Sequence, residues 1–123
     1  MQSYWELDGF ESLYLEDSFL LDVVARPGSL VIEVELVLKE DHPAFRSPQP
    51  GERYCYRRGR ISFEEVKHLT WLASGFMPAR DATGTVDWGG FDEFGRDGST
   101  FVFAADFGRV ELEASACRVD IDP

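Results

Sequence analysis

The sequence holds no asparagine and only two lysines, Lys39 and Lys67, against ten arginines. Lysine and asparagine have AT-rich codons, whereas the abundant Arg, Gly and Ala have GC-rich ones, so a GC-rich bacterial source is expected. Histidine and cysteine are equally scarce, at two each. Two histidines, His42 and His68, exclude a histidine-built metal cage, and Cys55 and Cys117 match no zinc-ligand spacing. Long hydrophobic runs are missing too. The most apolar stretch, Leu30 to Leu38, is interrupted by Glu33 and Glu35, so nothing reads as a membrane span and no membrane partner is expected. The first residues, Met1 to Asp8, lack the basic start and apolar run of a signal peptide. The expected location is the cytoplasm, with both thiols reduced and partly buried.

What is present is acid and aromatic surface. Twenty-three acidic residues outnumber 12 basic ones, giving a net charge of −11. Such a surface repels phosphate backbones, which argues against nucleic-acid binding, and attracts basic partners as well as water. Ten Phe, four Tyr and three Trp in 123 residues can fill one core without disulfides or metals. One domain spanning 1–123 is expected.

The dominant period along the chain is two. Leu30, Ile32, Val34, Leu36 and Leu38 alternate with Val31, Glu33, Glu35, Val37 and Lys39, giving a strand with one aliphatic and one partly acidic face. Phe19, Leu21, Val23 and Ala25 alternate with Leu20, Asp22, Val24 and Arg26, and Pro27-Gly28-Ser29 joins the runs. Residues 18–39 therefore read as a β-hairpin. Loops are expected over 40–51, with three prolines, and from Ser74 to about Gly90, with Pro78 and four glycines. Tyr54 and Tyr56 share one parity and Ile61 and Phe63 the other, which predicts a turn or bulge at Arg58-Gly59. The stretch from Glu65 to Ala73 suits a strand presenting Leu69 and Trp71 better than a helical turn. Asp97-Gly98 and Asp106-Phe107-Gly108 mark two further hairpins, and a short strand from Arg118 to Ile121 ends the chain. The fold class is all-β: an antiparallel sandwich or partly open barrel of six to eight strands with little helix.

Candidate sites are few. Asp106-Phe107-Gly108 spells the magnesium triplet of protein kinases, but no catalytic loop precedes it and a glycine-containing hairpin turn accounts for it. Asp81, Asp87, Asp92 and Asp97 depart from calcium-loop spacing and read as turn formers. No nucleophile elbow or phosphate-cradling loop occurs, so no catalytic residue, metal or cofactor is expected. The acidic pairs Glu33/Glu35 and Glu111/Glu113 each share a strand face and are the candidate partner-binding residues. Arg53, Arg57, Arg58 and Arg60, interleaved with Tyr54 and Tyr56, form the one dense basic patch. It suits cross-strand pairing with those acids, or alternatively a grip on an anionic ligand.

Leu13-Tyr14-Leu15-Glu16-Asp17-Ser18, read as a leading strand, precedes the 18–39 hairpin and the proline-rich loop. Tyr54-Cys55-Tyr56-Arg57-Arg58-Gly59 and the stretch from Phe63 to Trp71 follow. Over roughly residues 10–72 this order resembles small β-rich bacterial families of unknown function and, in looser outline, acidic immunity proteins that neutralise toxins. The resemblance carries over no catalytic residue. It fits a non-enzymatic protein-interaction module, an immunity-like inhibitor being one version, that binds a basic protein through an acidic or aromatic β-surface. Self-association is left open. The alternative is a small-molecule-binding barrel or enzyme gathering Tyr54, Tyr56, Arg57, Arg58 and Trp71 around an interior pocket.

Overall fold

A computed structural model of the chain describes residues 1–73, 79–80, 84 and 86–123. Eleven strands occur among them: β1 (Gln2–Ser3), β2 (Phe19–Arg26), β3 (Ser29–Leu38), β4 (Cys55–Glu64), β5 (His68–Ala73), β6 (Ala79–Arg80), β7 (Val86–Asp87), β8 (Phe91–Asp97), β9 (Thr100–Ala105), β10 (Gly108–Glu113) and β11 (Ala116–Ile121). Eight have six or more residues; β1, β6 and β7 have two each. They form an antiparallel five-stranded sheet in the order β1-β8-β9-β10-β5, a four-stranded sheet β11-β4-β3-β2, and the pair β6-β7. The two larger sheets pack as a sandwich, as the all-β reading expected. The only helical turns among the described residues are short 3-10 turns at Tyr4–Glu6 and Leu15–Asp17. No described helix is long and apolar enough to cross a membrane.

The core follows from the alternation in β3. Leu30, Ile32, Val34 and Leu36 are fully buried, facing inward beside Ile61 and Phe63 of β4. The five-stranded sheet answers with Phe91, Phe94, Phe101, Phe103, Val110 and Leu112. Phe63 is central: its ring lies 6.1, 5.2 and 5.9 Å from those of Phe94, Phe101 and Phe103. Edge-to-face and stacked ring pairs of this kind add to the burial of their area.

Three local expectations change. First, β2 does not alternate throughout: its register against β3 shifts between Leu20 and Asp22. This bulge sets Leu20, Val23 and Ala25 opposite the inward Val34, Ile32 and Leu30, and Phe19, Asp22 and Val24 opposite the outward Glu35, Glu33 and Val31. Second, no turn or bulge occurs at Arg58-Gly59. β4 pairs with β3 without interruption from Cys55 to Glu64, so Tyr56 faces outward with Arg58 while Cys55, Arg57, Gly59, Ile61 and Phe63 share the other face. The parity break came from assigning the tyrosines to the core. Gly59 is there because β11 crosses so closely that a Cβ would run into the Asp120 carbonyl. Third, Leu13 to Ser18 is not a strand. A single bridge joins Leu13 to Leu38, and the fully buried Ser18 anchors the segment, its Oγ donating to the Tyr14 carbonyl at 2.8 Å and accepting from Val37 N–H at 2.9 Å.

The segment 65–73 gives the strand β5, with Leu69 and Trp71 opposite the inward Leu112 and Val110. Of the loop expected from Ser74 to Gly90, residues 74–78, 81–83 and 85, Asp81 among them, lie outside the described residues, while β6 and β7 pair across it. Both cysteines are free thiols. Cys117 pairs with Phe63, eight residues from Cys55 along β4, so the two lie about 26 Å apart at ~3.3 Å per residue and do not meet.

Candidate functional site

The outer face of the four-stranded sheet brings most of the candidate residues together. Phe19 and Tyr56 project from it, and their rings stack at 6.2 Å. Tyr54, one residue before β4, meets Tyr56 edge-on at 6.0 Å and stacks on Tyr14 at 6.5 Å. Four rings thus form one continuous surface row, with the Arg53 guanidinium over Tyr54 and the Lys39 ammonium over Tyr14. Tyr54 Oη donates to Asp17 Oδ2 at 2.9 Å. That hydrogen bond holds the Tyr54 phenol above its usual range, and burial followed by Asp17 and Glu35 does the same to Tyr56. Both therefore stay neutral and able to donate.

Next to the rings runs a charged lattice set by strand register. Arg58 lies opposite Glu35, with Nε 3.9 Å from its carboxylate, and Arg60 lies between Glu33 on one side and Asp120 on the other. Arg118 bridges Glu64 at 3.1 Å and Asp120 at 3.2 Å. These pairs are exposed and each is worth little alone. They do mean that the Glu33/Glu35 row is partly neutralised by the arginines beside it. A shallow depression of about 400 Å³ lies among these residues, between Arg26, Glu33, Arg60 and Arg118.

The remaining candidates scatter. Arg57 faces away from this lattice: its guanidinium donates to the carbonyls of Ala44 at 3.3 Å and Asp122 at 3.0 Å, tying the proline-rich loop to the residue that follows β11. Glu111 and Glu113 lie on the other sheet, on the outward side of β10, where Arg109 reaches both Glu93 at 3.6 Å and Glu111 at 3.5 Å. The two acidic pairs therefore do not share a surface. Trp71 is likewise on the five-stranded sheet, against Phe107, lining a cavity with none of the tyrosines. Among the described residues no cluster of three or more His, Cys, Asp or Glu is arranged to hold a metal. The Asp106-Phe107 turn joins β9 to β10, and Phe107 is buried against Phe103 and Trp71.

Tyr14 and Phe19 escaped the sequence reading because both were assigned to strands by parity, Tyr14 in a strand that does not form and Phe19 on the wrong side of an unseen bulge. Trp88 escaped because it sits in a glycine-rich stretch read only as loop. The arrangement defines an antiparallel β-sandwich carrying an aromatic and charged surface. No family model, curated protein or solved structure matches the chain.

Proposed function

We propose that this chain is a non-enzymatic binding module that recognises a basic protein through the outer face of its four-stranded sheet. The observation that carries the reading is the row Tyr14–Tyr54–Tyr56–Phe19, four rings packed one on the next, with Tyr14 exposed and the other three half-buried. Tyrosine and arginine are the residue types that dominate interface hot spots, being large, rigid and able to donate hydrogen bonds. Asp17, Glu33 and Glu35 border the row, and the net charge of −11 adds long-range attraction for a cationic surface. An immunity-like inhibitor of a basic toxin is one concrete form of this activity.

The test begins with tagged protein used to isolate a basic partner, followed by binding kinetics at several salt concentrations. Association is expected to slow as salt rises, since exposed charges are screened beyond about 10 Å at 0.1 M. Glu33→Lys with Glu35→Lys should cut the on-rate, and Tyr54→Ala with Tyr56→Ala should raise the off-rate. Glu111→Lys with Glu113→Lys, on the opposite face, serves as control. A partner that binds both double variants as it binds the native protein would put the interface elsewhere and end this reading.

A further inference from the structure

Separate from the tyrosine face, the structure holds a second candidate site where the two sheets end. β2 is the last strand of the four-stranded sheet and β5 the last of the five-stranded one. Leu20, Asp22 and Val23 from the first and Trp71 from the second line one cavity of about 330 Å³, completed by Trp88 and Phe107. Its aromatic walls come from separate segments, and Trp71 is partly exposed. Trp71 and Phe107 meet at 5.5 Å with their planes at 87°, so one presents its face where the other presents its edge. The backbone of Trp88 is strapped to the edge of β2: its main-chain N–H donates to the Leu20 carbonyl at 2.8 Å, and the Leu20 main-chain N–H donates to the Gly89 carbonyl at 2.9 Å. Gly89, at φ +88°, holds a left-handed backbone conformation that strains any residue with a side chain. The bulge in β2 turns both Leu20 and Val23 toward the interior.

Asp22 is the one charged residue lining this cavity among the described residues, and no lysine or arginine joins it. Its Oδ1 accepts Val23 N–H at 2.9 Å, which orients the carboxylate, and Glu33 lies opposite it in the register. Aromatic faces carry negative potential, and a carboxylate adds to it. An anion would meet repulsion from both, and a bare metal ion would find too few oxygens. An alkylated ammonium group satisfies all the walls at once, its charge facing the rings and the carboxylate and its methyl groups facing Leu20 and Val23. The volume lies at the lower end of the range for small-molecule pockets, about 300–1,000 Å³, and suits a compound of choline's size. We infer that the cavity between β2 and β5 binds a small organic ammonium compound, held by Trp71, Trp88 and Phe107 and balanced by Asp22.

The probe pair is choline and 3,3-dimethyl-1-butanol, which has the same shape with carbon in place of the charged nitrogen. The readout is the indole N–H signals of the three tryptophans in ¹⁵N-labelled protein, with the exposed Trp5, outside the cavity, as internal reference. Choline is expected to shift Trp71 and Trp88 saturably, to leave Trp5 in place, and to bind at least about fivefold tighter than the neutral compound. Asp22→Asn keeps the size of the side chain; it should weaken choline at least about threefold and leave the butanol unchanged. Equal affinity for the two probes would overturn the proposal in favour of an unselective apolar pocket. So would indifference of choline to Asp22→Asn, or no saturable shift of Trp71 and Trp88 by about 50 mM choline.

Discussion

Two groups of aromatic rings sit on opposite sides of the same four strands. Inside, Phe63 packs against Phe94, Phe101 and Phe103; outside, Phe19 and Tyr56 pack with Tyr54 and Tyr14. The centroid spacings are alike, between 5.2 and 6.5 Å in both groups. The surroundings differ. Phe63, Phe101 and Phe103 are essentially removed from water, while Tyr14 is 41% exposed and the Tyr54 hydroxyl donates to Asp17. Ring stacking alone therefore does not say whether a cluster holds the fold or meets a partner. The side of the sheet does.

The sharpest way to break this comparison is to truncate one ring on each side. Phe63→Ala should cost about 3–5 kcal/mol in urea denaturation, because it removes a buried ring and leaves a cavity among three others. Tyr56→Ala, on the same strand, should cost roughly 1 kcal/mol. Similar losses would mean that the outer row belongs to the core. The next effect is aliphatic. Leu36→Ala should cost about 2–4 kcal/mol and Glu35→Ala, its neighbour across the sheet plane, within about 0.5 kcal/mol, despite the pairing of Glu35 with Arg58.

A pH experiment sharpens the inside further. Cys117 lies on the inward side of β11, opposite Phe63, and burial pushes its thiol from 9.0 up to about 12. Burial and the hydrogen bond to Glu16 raise the Tyr4 phenol as well. The folded chain then binds protons that the unfolded chain releases, so this contribution is complete below about pH 9 and is lost as pH climbs toward 12. Melting temperature should fall more steeply above pH 9 in the native protein than in Cys117→Val, and a thiol reagent at pH 8 should modify Cys117 slowly until denaturant is added. Parallel melting curves, or rapid modification, would mean that the thiol reaches water. The smallest effect belongs to Tyr54→Phe, expected within about 0.5 kcal/mol on stability because its bond to Asp17 is at the surface. Binding of the basic protein proposed as partner should weaken all the same.

The parts of the fold legible in the sequence are those where one physical pattern acts alone. β3 alternates from Ser29 to Leu36 because one face is core and the other carries glutamates, before Leu36, Val37 and Leu38 are buried together, and the eight longer strands follow from such runs and the turns between them. Alternation misleads where aromatic residues lie outward, as Tyr56 does, and where a bulge shifts parity, as in β2. The surface site was half legible. Tyr54, Tyr56, Arg58 and Glu35 are close in sequence or in hairpin register, whereas Tyr14 and Phe19 join them through a 3-10 turn and a bulge that leave no periodic trace. The cavity was beyond reach, because Trp71, Trp88 and Phe107 come from three separate segments that only sheet packing brings together.

Arg57 has a consequence for how the molecule is made. Its guanidinium joins the carbonyl of Ala44 to that of Asp122, and β11 adds to the four-stranded sheet beside β4, more than fifty residues earlier in the chain. During folding β2, β3 and β4 can assemble as a three-stranded meander, but its outer edge and one Arg57 donor wait for β11 and the Asp122 carbonyl that follows it. Pairings between such distant segments form slowly, since the intervening chain must first be closed into a loop. Until then β4 is an open edge, available to the wrong partner. Docking of β11 is thus the step at which β4 passes from the edge of the sheet to its interior.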